Sequence, residues 1–281
     1  MLVTNDVALI TFVPFTCSLL QRDDQRKILL RIVVIEAAAA NLGSMATPIG
    51  NPQNLYLYST YSFSLGTFFK TILPIVGISY VGLLFSLLLI PQQPLASEIP
   101  TESYLPLSAQ KKNLIIYSIL GVVCLATVAG LVTHVVCFCV VLLGMIVTDR
   151  ALIRRVDWEL LLTFVCFFLF SGNLQQIESV RNLMMQGLSG GVCLTAALVS
   201  QVISNVPAAV LLSGFTEQGK ELLMGVDIGG LGTPIASLAS LIAYQYYAKS
   251  KLANPAKYLQ FFFIYQFIGL FLLLAMKFIM L

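Results

Sequence analysis

Apolar stretches separated by short polar turns run along the whole chain. Several of them approach the length of about 20 residues that an α-helix needs to cross a bilayer. The pattern predicts an all-α, polytopic membrane protein. The apolar runs lie near 7–20, 28–40, 55–62, 72–90, 113–131, 133–148, 158–172, 192–213, 235–247 and 259–281.

Composition supports the same class. Of the 281 residues, 58% are hydrophobic and only 10% are charged, whereas a soluble domain carries about 25% charged residues. Because so few charges cannot cover a water-exposed surface, we expect the protein to be embedded in the lipid bilayer as its partner. The net charge of +3 comes from short loops between apolar runs, and we expect no nucleic-acid partner.

The basic residues are unevenly distributed among the loops, and this predicts the sides of the membrane. Cytoplasmic loops of membrane proteins carry an excess of Lys and Arg. We therefore expect the basic loops to be cytoplasmic and the protein to lie in the plasma (cell inner) membrane. Four segments hold 12 of the 16 basic residues: 22–31, 111–112, 150–155 and 249–257.

A polar, proline-containing stretch at 92–112 divides the chain. Such a composition is typical of a linker. We predict a first repeat at 1–91 and a second repeat at 113–281 on either side of it.

Two polar, glycine- and proline-bearing stretches interrupt the apolar pattern. They are "NLGSMATPIGNPQN" at 41–54 and "DIGGLGTPIASLAS" at 227–240. At an offset of 186 residues, four positions of the first stretch coincide with identical residues in the second, Gly50 faces Ala236 and Asn51 faces Ser237. The identical pairs are Gly43 with Gly229, Thr47 with Thr233, Pro48 with Pro234 and Ile49 with Ile235.

A second match precedes each of these stretches. "TNDVALITFVPFT" at 4–16 aligns with "SNVPAAVLLSGFT" at 204–216, which places Asn5 over Asn205. The distribution of basic loops threads the two copies through the membrane in opposite directions. The sequence therefore predicts inverted repeats, each with a re-entrant hairpin and a broken transmembrane helix.

Broken helices at membrane depth indicate a functional site. Non-helical backbone survives there only where it is buried in protein or lines a wet cavity. The free N–H groups at one stub favour an anion and the free carbonyl groups at the other favour a cation. This arrangement is typical of secondary transporters built from inverted repeats, so we expect the substrate at the breaks.

At these residues the sequence resembles the ion transporter superfamily, which includes citrate and other di- and tricarboxylate transporters, arsenite permeases and one class of sodium/proton antiporters. The segments "TND" and "ISNVPA" are similar to its hairpin tips, and "ANLGSMATPIGNPQN" is similar to its broken helix. "VDWELLLTFVCFFLFSGNL" at 156–174 resembles the helix that opens its second half.

The resemblance implies which residues form the site. Two cation sites, one in each repeat, would combine a hairpin tip with the backbone of the nearby break, and two threonines would border an anion pocket. Asp6 and Val206 occupy the third tip positions, where carboxylate transporters carry Thr. The implied residues are Thr4, Asn5, Asp6, Gly43, Thr47 and Asn51 in the first repeat, and Ser204, Asn205, Gly229 and Thr233 in the second.

Three acidic residues lie at or near the predicted breaks: Asp6, Glu36 and Asp227. An ionisable side chain inside the membrane is a candidate for function by default, so all three are candidates for ion coupling. Asp227 is equally well placed to cap the second half of its helix. We expect no cofactor, and no metal beyond Na⁺ at Asn5 and Asn205 as a coupling ion.

The function that follows is secondary transport of a small anion, citrate or a related carboxylate, coupled to Na⁺ or H⁺. A sodium/proton antiporter or an oxyanion efflux permease of the same superfamily is the alternative. More remote alternatives are a non-transporting remnant and an intramembrane enzyme with Ser189 and His134, although the expectation is that the protein is not an enzyme. The family also implies a homodimer.

The first repeat begins at its hairpin tip, whereas the second has a complete first hairpin arm at about 187–203. Family members carry further helices before the tip. We therefore expect an N-terminally truncated sequence that lacks roughly 80–150 residues, at about 20 residues per span.

Overall fold

The computed structural model describes residues 4–91, 107–148, 153, 156 and 158–280. Every regular element in these ranges is helical, and the predicted all-α class is confirmed. Besides one 3₁₀ turn at Asp23–Gln25, the helices are α1 (Asn5–Leu19), α2 (Arg26–Ser44), α3 (Pro52–Thr60), α4 (Leu65–Leu88), α5 (Leu107–Val128), α6 (His134–Thr148), α7 (Trp158–Gln176), α8 (Glu178–Ser189), α9 (Val192–Ile203), α10 (Asn205–Ser213), α11 (Gly219–Ile228), α12 (Leu238–Ala248) and α13 (Pro255–Met280).

The chain forms two compact units. One comprises Met1–Ser97 and Cys166–Leu281, and the other comprises Glu98–Val165. In the second unit α5 packs against α6. The predicted linker at 92–112 lies outside the described residues as far as 106, and its last positions begin α5. The predicted limits of the repeats stay a prediction.

Two of the described helices, α4 and α13, are long and apolar enough to cross a membrane, and both have a mean hydropathy of 2.1. At 1.5 Å per residue, α4 is about 36 Å long, which exceeds the hydrocarbon core of roughly 30 Å. Helices α7 and α8 form a pair bent by 91° that together pass the same test. The membrane class is thus supported by helices as well as by composition.

The shorter apolar helices are arranged as hairpins and broken pairs. Helices α9 and α10 form a re-entrant hairpin with Ser204 as its only linking residue, and Ser204 has a φ of 73°. Helices α2 and α3 are separated by 45–51, and α11 and α12 by 229–237. These interruptions confirm the two predicted broken helices.

The start of each second half is set by a local capping bond. The Asn51 side chain accepts a hydrogen bond from the Asn54 N–H, and Pro52 follows as the first helical residue. The Ser237 side chain accepts from the Ala239 N–H. A short polar side chain before the first turn satisfies one otherwise unpaired N–H group. At the offset of 186 residues, α12 begins at the position equivalent to the start of α3.

The two repeats exchange their contacts. Helix α1 packs against α2 and against α12, while its equivalent α10 packs against α11 and against α3. Each hairpin arm therefore contacts the first half of its own broken helix and the second half of the other one. Reciprocal packing of this kind is what inverted repeats around a pseudo-twofold axis produce.

The long C-terminal helix α13 is joined to α11 by an ion pair. Lys277 Nζ lies 2.6 Å from Glu221 Oε2, and the two side chains are only 11% and 24% exposed. By contrast, the pair between Arg22 and Asp24 is 56% exposed on both sides.

We predict that Lys277→Ala destabilises the protein strongly, because it leaves the Glu221 carboxylate largely buried without its partner. Breaking a buried pair costs about 3–5 kcal/mol, whereas an exposed pair contributes about 0–1 kcal/mol. The melting temperature in detergent should fall by several degrees for Lys277→Ala and change little for Arg22→Ala. Equal shifts in the two variants would contradict this interpretation.

Candidate functional site

The first hairpin tip is attached to the first break through its backbone. The Asn5 N–H donates to the Gly50 carbonyl oxygen at 3.2 Å, and the Gly50 N–H donates to the Thr47 carbonyl oxygen at 3.1 Å. The side chain of Asn5 is buried and accepts the N–H of Asp6 at 3.0 Å. The tip of α1 and the turn between α2 and α3 therefore form one local structure.

The second tip repeats this arrangement. The Asn205 N–H donates to the Ala236 carbonyl oxygen at 2.9 Å, and the Ala236 N–H donates to the Thr233 carbonyl oxygen at 3.1 Å. Ser204 Oγ also donates to the Ala236 carbonyl oxygen, at 3.4 Å. Ala236 is the residue that faces Gly50 in the sequence alignment, so both copies make the same pair of backbone bonds.

Side chains join the two breaks to each other. Ser237 Oγ donates to Asn41 Oδ1 at 2.6 Å, and Asn51 Nδ2 donates to Asp227 Oδ1 at 3.4 Å. At the offset of 186 residues, Asn41 is equivalent to Asp227 and Asn51 to Ser237. The two contacts are therefore symmetry mates of one another, and all four side chains are buried. The broken helices meet in a single buried polar centre.

Asp227 lies in the last turn of α11 and faces the first break. Its Oδ1 accepts hydrogen bonds from Asn51 Nδ2 and Gln53 Nε2, both at 3.4 Å, and the residue is 2% exposed. Its Oδ2 has no partner within the described residues. Because Ser237 caps α12, Asp227 does not cap the second half of its helix, and the alternative role considered from the sequence is wrong.

The other two acids lie at different places. Asp6 is buried at the first tip, and its Oδ1 has no partner in the described part of the chain. Glu36 Oε1 accepts a hydrogen bond from Thr16 Oγ1 at 2.5 Å. Glu36 thus joins α2 to α1, about 7.5 Å along the helix from Asn41 at 1.5 Å per residue. Asp6 and Asp227 are associated with the tip and the breaks, and Glu36 is not.

A cavity of about 480 Å³ lies beside the second tip. Ser204 lines it from the hairpin, and Pro234 and Ser237 line it from the second break. Phe167 and Phe170 of α7 form part of its other wall. Ligand pockets typically measure about 300–1,000 Å³ and combine apolar walls with few polar groups, so this cavity has the size and character of a small-solute site.

The structure brings most of the predicted residues together in these contacts. Thr4 directly precedes the first tip, and Gly43 lies in the last turn of α2. The hydroxyl of Thr233 donates to the backbone of Gln201 at 2.9 Å, and Thr233 does not line the cavity. That these residues bind an anion and a cation stays a prediction.

Four polar residues of the centre were not predicted from the sequence: Asn41, Gln53, Gln201 and Ser237. One signal was available for two of them, because Asn41 aligns with Asp227 and Ser237 aligns with Asn51. Nothing in the local sequence marks Gln53 or Gln201. Gln53 contacts the Asp227 side chain from the other half of the chain, and Gln201 contacts backbone groups of the second break.

The inverted orientation gives a direct prediction. In a background without cysteines, a cysteine at Asp23 should react with a membrane-impermeant thiol reagent only from the cytoplasm, and one at Gln218 only from outside. Both positions are exposed, and they occupy equivalent loops after α1 and α10. Gln25 is unsuitable because it is 1% exposed. Reaction of both cysteines from the same side would contradict inverted repeats.

Comparison with known proteins finds one matching family and related transporter and membrane proteins. Residues 1–217 match the model of the family described as Citrate transporter. An uncharacterized transporter of Methanocaldococcus jannaschii is 32% identical over 242 residues, which make up 86% of this chain and 65% of the relative. Inner membrane protein YbiR of Escherichia coli is 32% identical over an alignment 249 residues long, which covers 85% of this chain and 64% of the relative.

The chain therefore spans slightly less than two thirds of the length of these curated relatives. The family match, by contrast, extends over more than half of the chain and includes the first tip, the first break and the second hairpin. The chain belongs to the citrate transporter family.

Proposed function

We propose that this protein is a secondary active transporter that moves an anion, citrate or a related carboxylate. A Na⁺ or H⁺ gradient drives this transport. The observation that carries the proposal is the symmetric pair of contacts between the breaks, Ser237 with Asn41 and Asn51 with Asp227. A helix that only spans the bilayer needs no such break, because unpaired backbone groups at that depth are costly. A polar centre shared by two broken helices therefore indicates a function other than spanning.

The chemistry of the centre suits an anion only if a cation accompanies it. Neither 41–54 nor 227–240 contains Lys or Arg, so the anion would be held by N–H groups and hydroxyls at the helix stubs. The cavity beside Ser204 and Ser237 gives a solute access to the second break. The carbonyl oxygens of amide side chains are ligands for hard cations, which makes Asn5 and Asn205 the proposed Na⁺ ligands, whereas Asp6, Asp227 and Glu36 are the proposed proton carriers.

The proposed mechanism is alternating access around this centre, near the middle of the bilayer. The anion and its coupling ion would bind together from one side and be released on the other. We place the protein in the plasma (cell inner) membrane as a homodimer, with no cofactor and no enzymatic activity.

Asp6 supports a second candidate, a sodium/proton antiporter or an oxyanion efflux permease. Its carboxylate is buried next to Asn5 and has one oxygen without a partner among the described residues. A buried acid at the tip can exchange a proton for a cation at one place, which is the requirement of an antiporter.

Flux measurements distinguish these candidates. The purified protein in liposomes should accumulate radiolabelled citrate when a Na⁺ or pH gradient is imposed, and an ionophore that removes the gradient should stop accumulation. Sodium-dependent proton flux without citrate would favour the antiporter instead. The proposal fails if neither gradient drives citrate or any other anion.

A further inference from the structure

The side-chain amide of Gln201 lies inside the second break. Gln201 is in the last turn of α9, on the first arm of the hairpin. Its Nε2 donates to the carbonyl oxygens of Gly229 at 2.8 Å and Leu231 at 2.9 Å, and also to that of Ala197 at 3.0 Å. Its Oε1 accepts the Thr233 N–H at 2.8 Å.

Both ends of the amide are therefore used by the broken helix. A break leaves carbonyl groups without helical partners at one stub and N–H groups at the other. Gln201 Nε2 satisfies the carbonyls of Gly229 and Leu231, and Gln201 Oε1 satisfies the Thr233 N–H further along the break. Gly232, with a φ of 109°, allows the close approach, because a Cβ atom at that position would overlap Gln201 Oε1.

The carbonyl oxygens that Gln201 occupies are those that a cation would need. Hard cations with the size of Ca²⁺ lie about 2.3–2.6 Å from their oxygen ligands, and Na⁺ is of nearly the same size. A cation shared by the Gly229 and Leu231 oxygens would overlap the Gln201 nitrogen, which lies within 2.9 Å of both. An N–H donor and a cation both present positive charge to a carbonyl oxygen, so either one can satisfy it.

Negative charge is also concentrated at the first break. Asp6 follows Asn5 at the first tip, whereas Val206 follows Asn205 at the second. The carboxylate of Asp227 accepts its hydrogen bonds from Asn51 and Gln53, which belong to the first break. A cation at the first break would thus have Asp6 on its own tip and the Asp227 carboxylate directed towards it, whereas the carbonyl oxygens of the second break are occupied by a neutral amide donor.

We propose that the Gln201 amide is a built-in substitute for a cation at the second break, so that the tips of this protein take at most one coupling cation, at the first break. This departs from the pair of cation sites that the symmetry of the repeats suggests. It rests on the proposed transport function for its meaning, but the contacts of Gln201 can be tested without any flux.

Two substitutions with nearly the same shape test the substitute role. Gln201→Glu replaces the donating NH₂ group by a carboxylate oxygen, which faces two carbonyl oxygens and creates a true cation site. Gln201→Met removes the donors and adds no charge. At pH 8 in choline buffer, both variants should melt about 5 °C or more below the wild type.

Adding Na⁺ should separate the two variants. It should restore most of the loss in Gln201→Glu, because binding to the folded state stabilises it, and should add nothing in Gln201→Met beyond the wild-type response. Wild-type melting of both variants in choline, or a Gln201→Glu variant that Na⁺ does not rescue, would overturn the proposal.

A binding measurement on the wild-type protein covers the case in which the variants do not fold. Equilibrium binding of ²²Na⁺ should give no more than one ion per chain. Two ions per chain would overturn the proposal. If the stability results hold but no anion is transported, the role of Gln201 stands and the proposed transport function fails.

Discussion

Replacing either tip asparagine by alanine is expected to abolish transport and leave the protein correctly inserted. The backbone N–H groups of Asn5 and Asn205 hold the tips to Gly50 and Ala236, and these bonds survive the substitution. The side-chain amides are lost. Removing a group that contacts the bound cation or the bound anion costs about 1.5–3 kcal/mol, which corresponds to a loss of transport of about 10- to 150-fold.

Flux in liposomes and size-exclusion profiles of the detergent-extracted protein measure the two parts of this expectation. Asn173→Ala is the matched control, because Asn173 is exposed on α7 and, within the described part of the chain, donates only to the Leu169 carbonyl in its own helix. It should transport like the wild type. Unchanged flux in both tip variants would remove these asparagines from the site.

Gly50→Ala is expected to prevent stable folding of the first break. A Cβ atom at Gly50 would overlap the carbonyl oxygen of Ser44. This neighbour is backbone, at the end of α2, and cannot turn away as a side chain can. Overpacking in a tight site costs about 1–3 kcal/mol and occasionally more, and here we expect the upper end of that range.

The equivalent residue of the other repeat supplies the control. Ala236 makes the same backbone bonds as Gly50, and already carries a Cβ atom. Ala236→Gly should therefore cost only the added freedom of the unfolded chain, about 0.5–1 kcal/mol. Melting temperatures of the two variants compare them directly. A similar shift in both would show that crowding at Gly50 is not the reason for the glycine.

The breaks and their symmetry could be predicted from the sequence because they depend on local signals. Clusters of Gly, Pro and small polar residues favour a helix end, and the repetition of Gly-x-x-x-Thr-Pro-Ile at 43–49 and 229–235 gave the alignment. The bonds from Asn5 to Gly50 and from Asn205 to Ala236 follow that alignment. Asn51 and Ser237 are also aligned in the sequence, and in the structure they cap the equivalent helices α3 and α12.

The side-chain contacts at the breaks could not be predicted in this way. Asn41 follows four alanines inside a helix, and Gln201 lies near the end of an apolar hairpin arm. Each is an ordinary helical residue until a partner from a distant segment meets it. The sequence therefore predicted where the backbone breaks, and the structure was needed to find the side chains that fill the breaks.

Helix α8 was not predicted for a different reason. It is amphipathic and has no apolar run, and the 91° bend before it occurs without Gly or Pro at the junction. Contacts from a distant segment hold the end of α7 at the bend. Gln175 Nε2 donates to the carbonyl oxygens of Val210 and Leu211 at 3.0 and 3.1 Å, which fixes the end of α7 against α10.

If the anion binds between the two breaks, bound substrate should protect both of them from chemical modification. Single cysteines at Ile49 and Ile235 occupy equivalent positions in the breaks, and Ile235 is 64% exposed in the cavity wall. In a background without cysteines, citrate should slow the reaction of both with a thiol reagent, and a cysteine at the loop position Gln218 should react at an unchanged rate. If a protein that transports citrate shows no protection at either break, the anion does not bind there and the account is wrong.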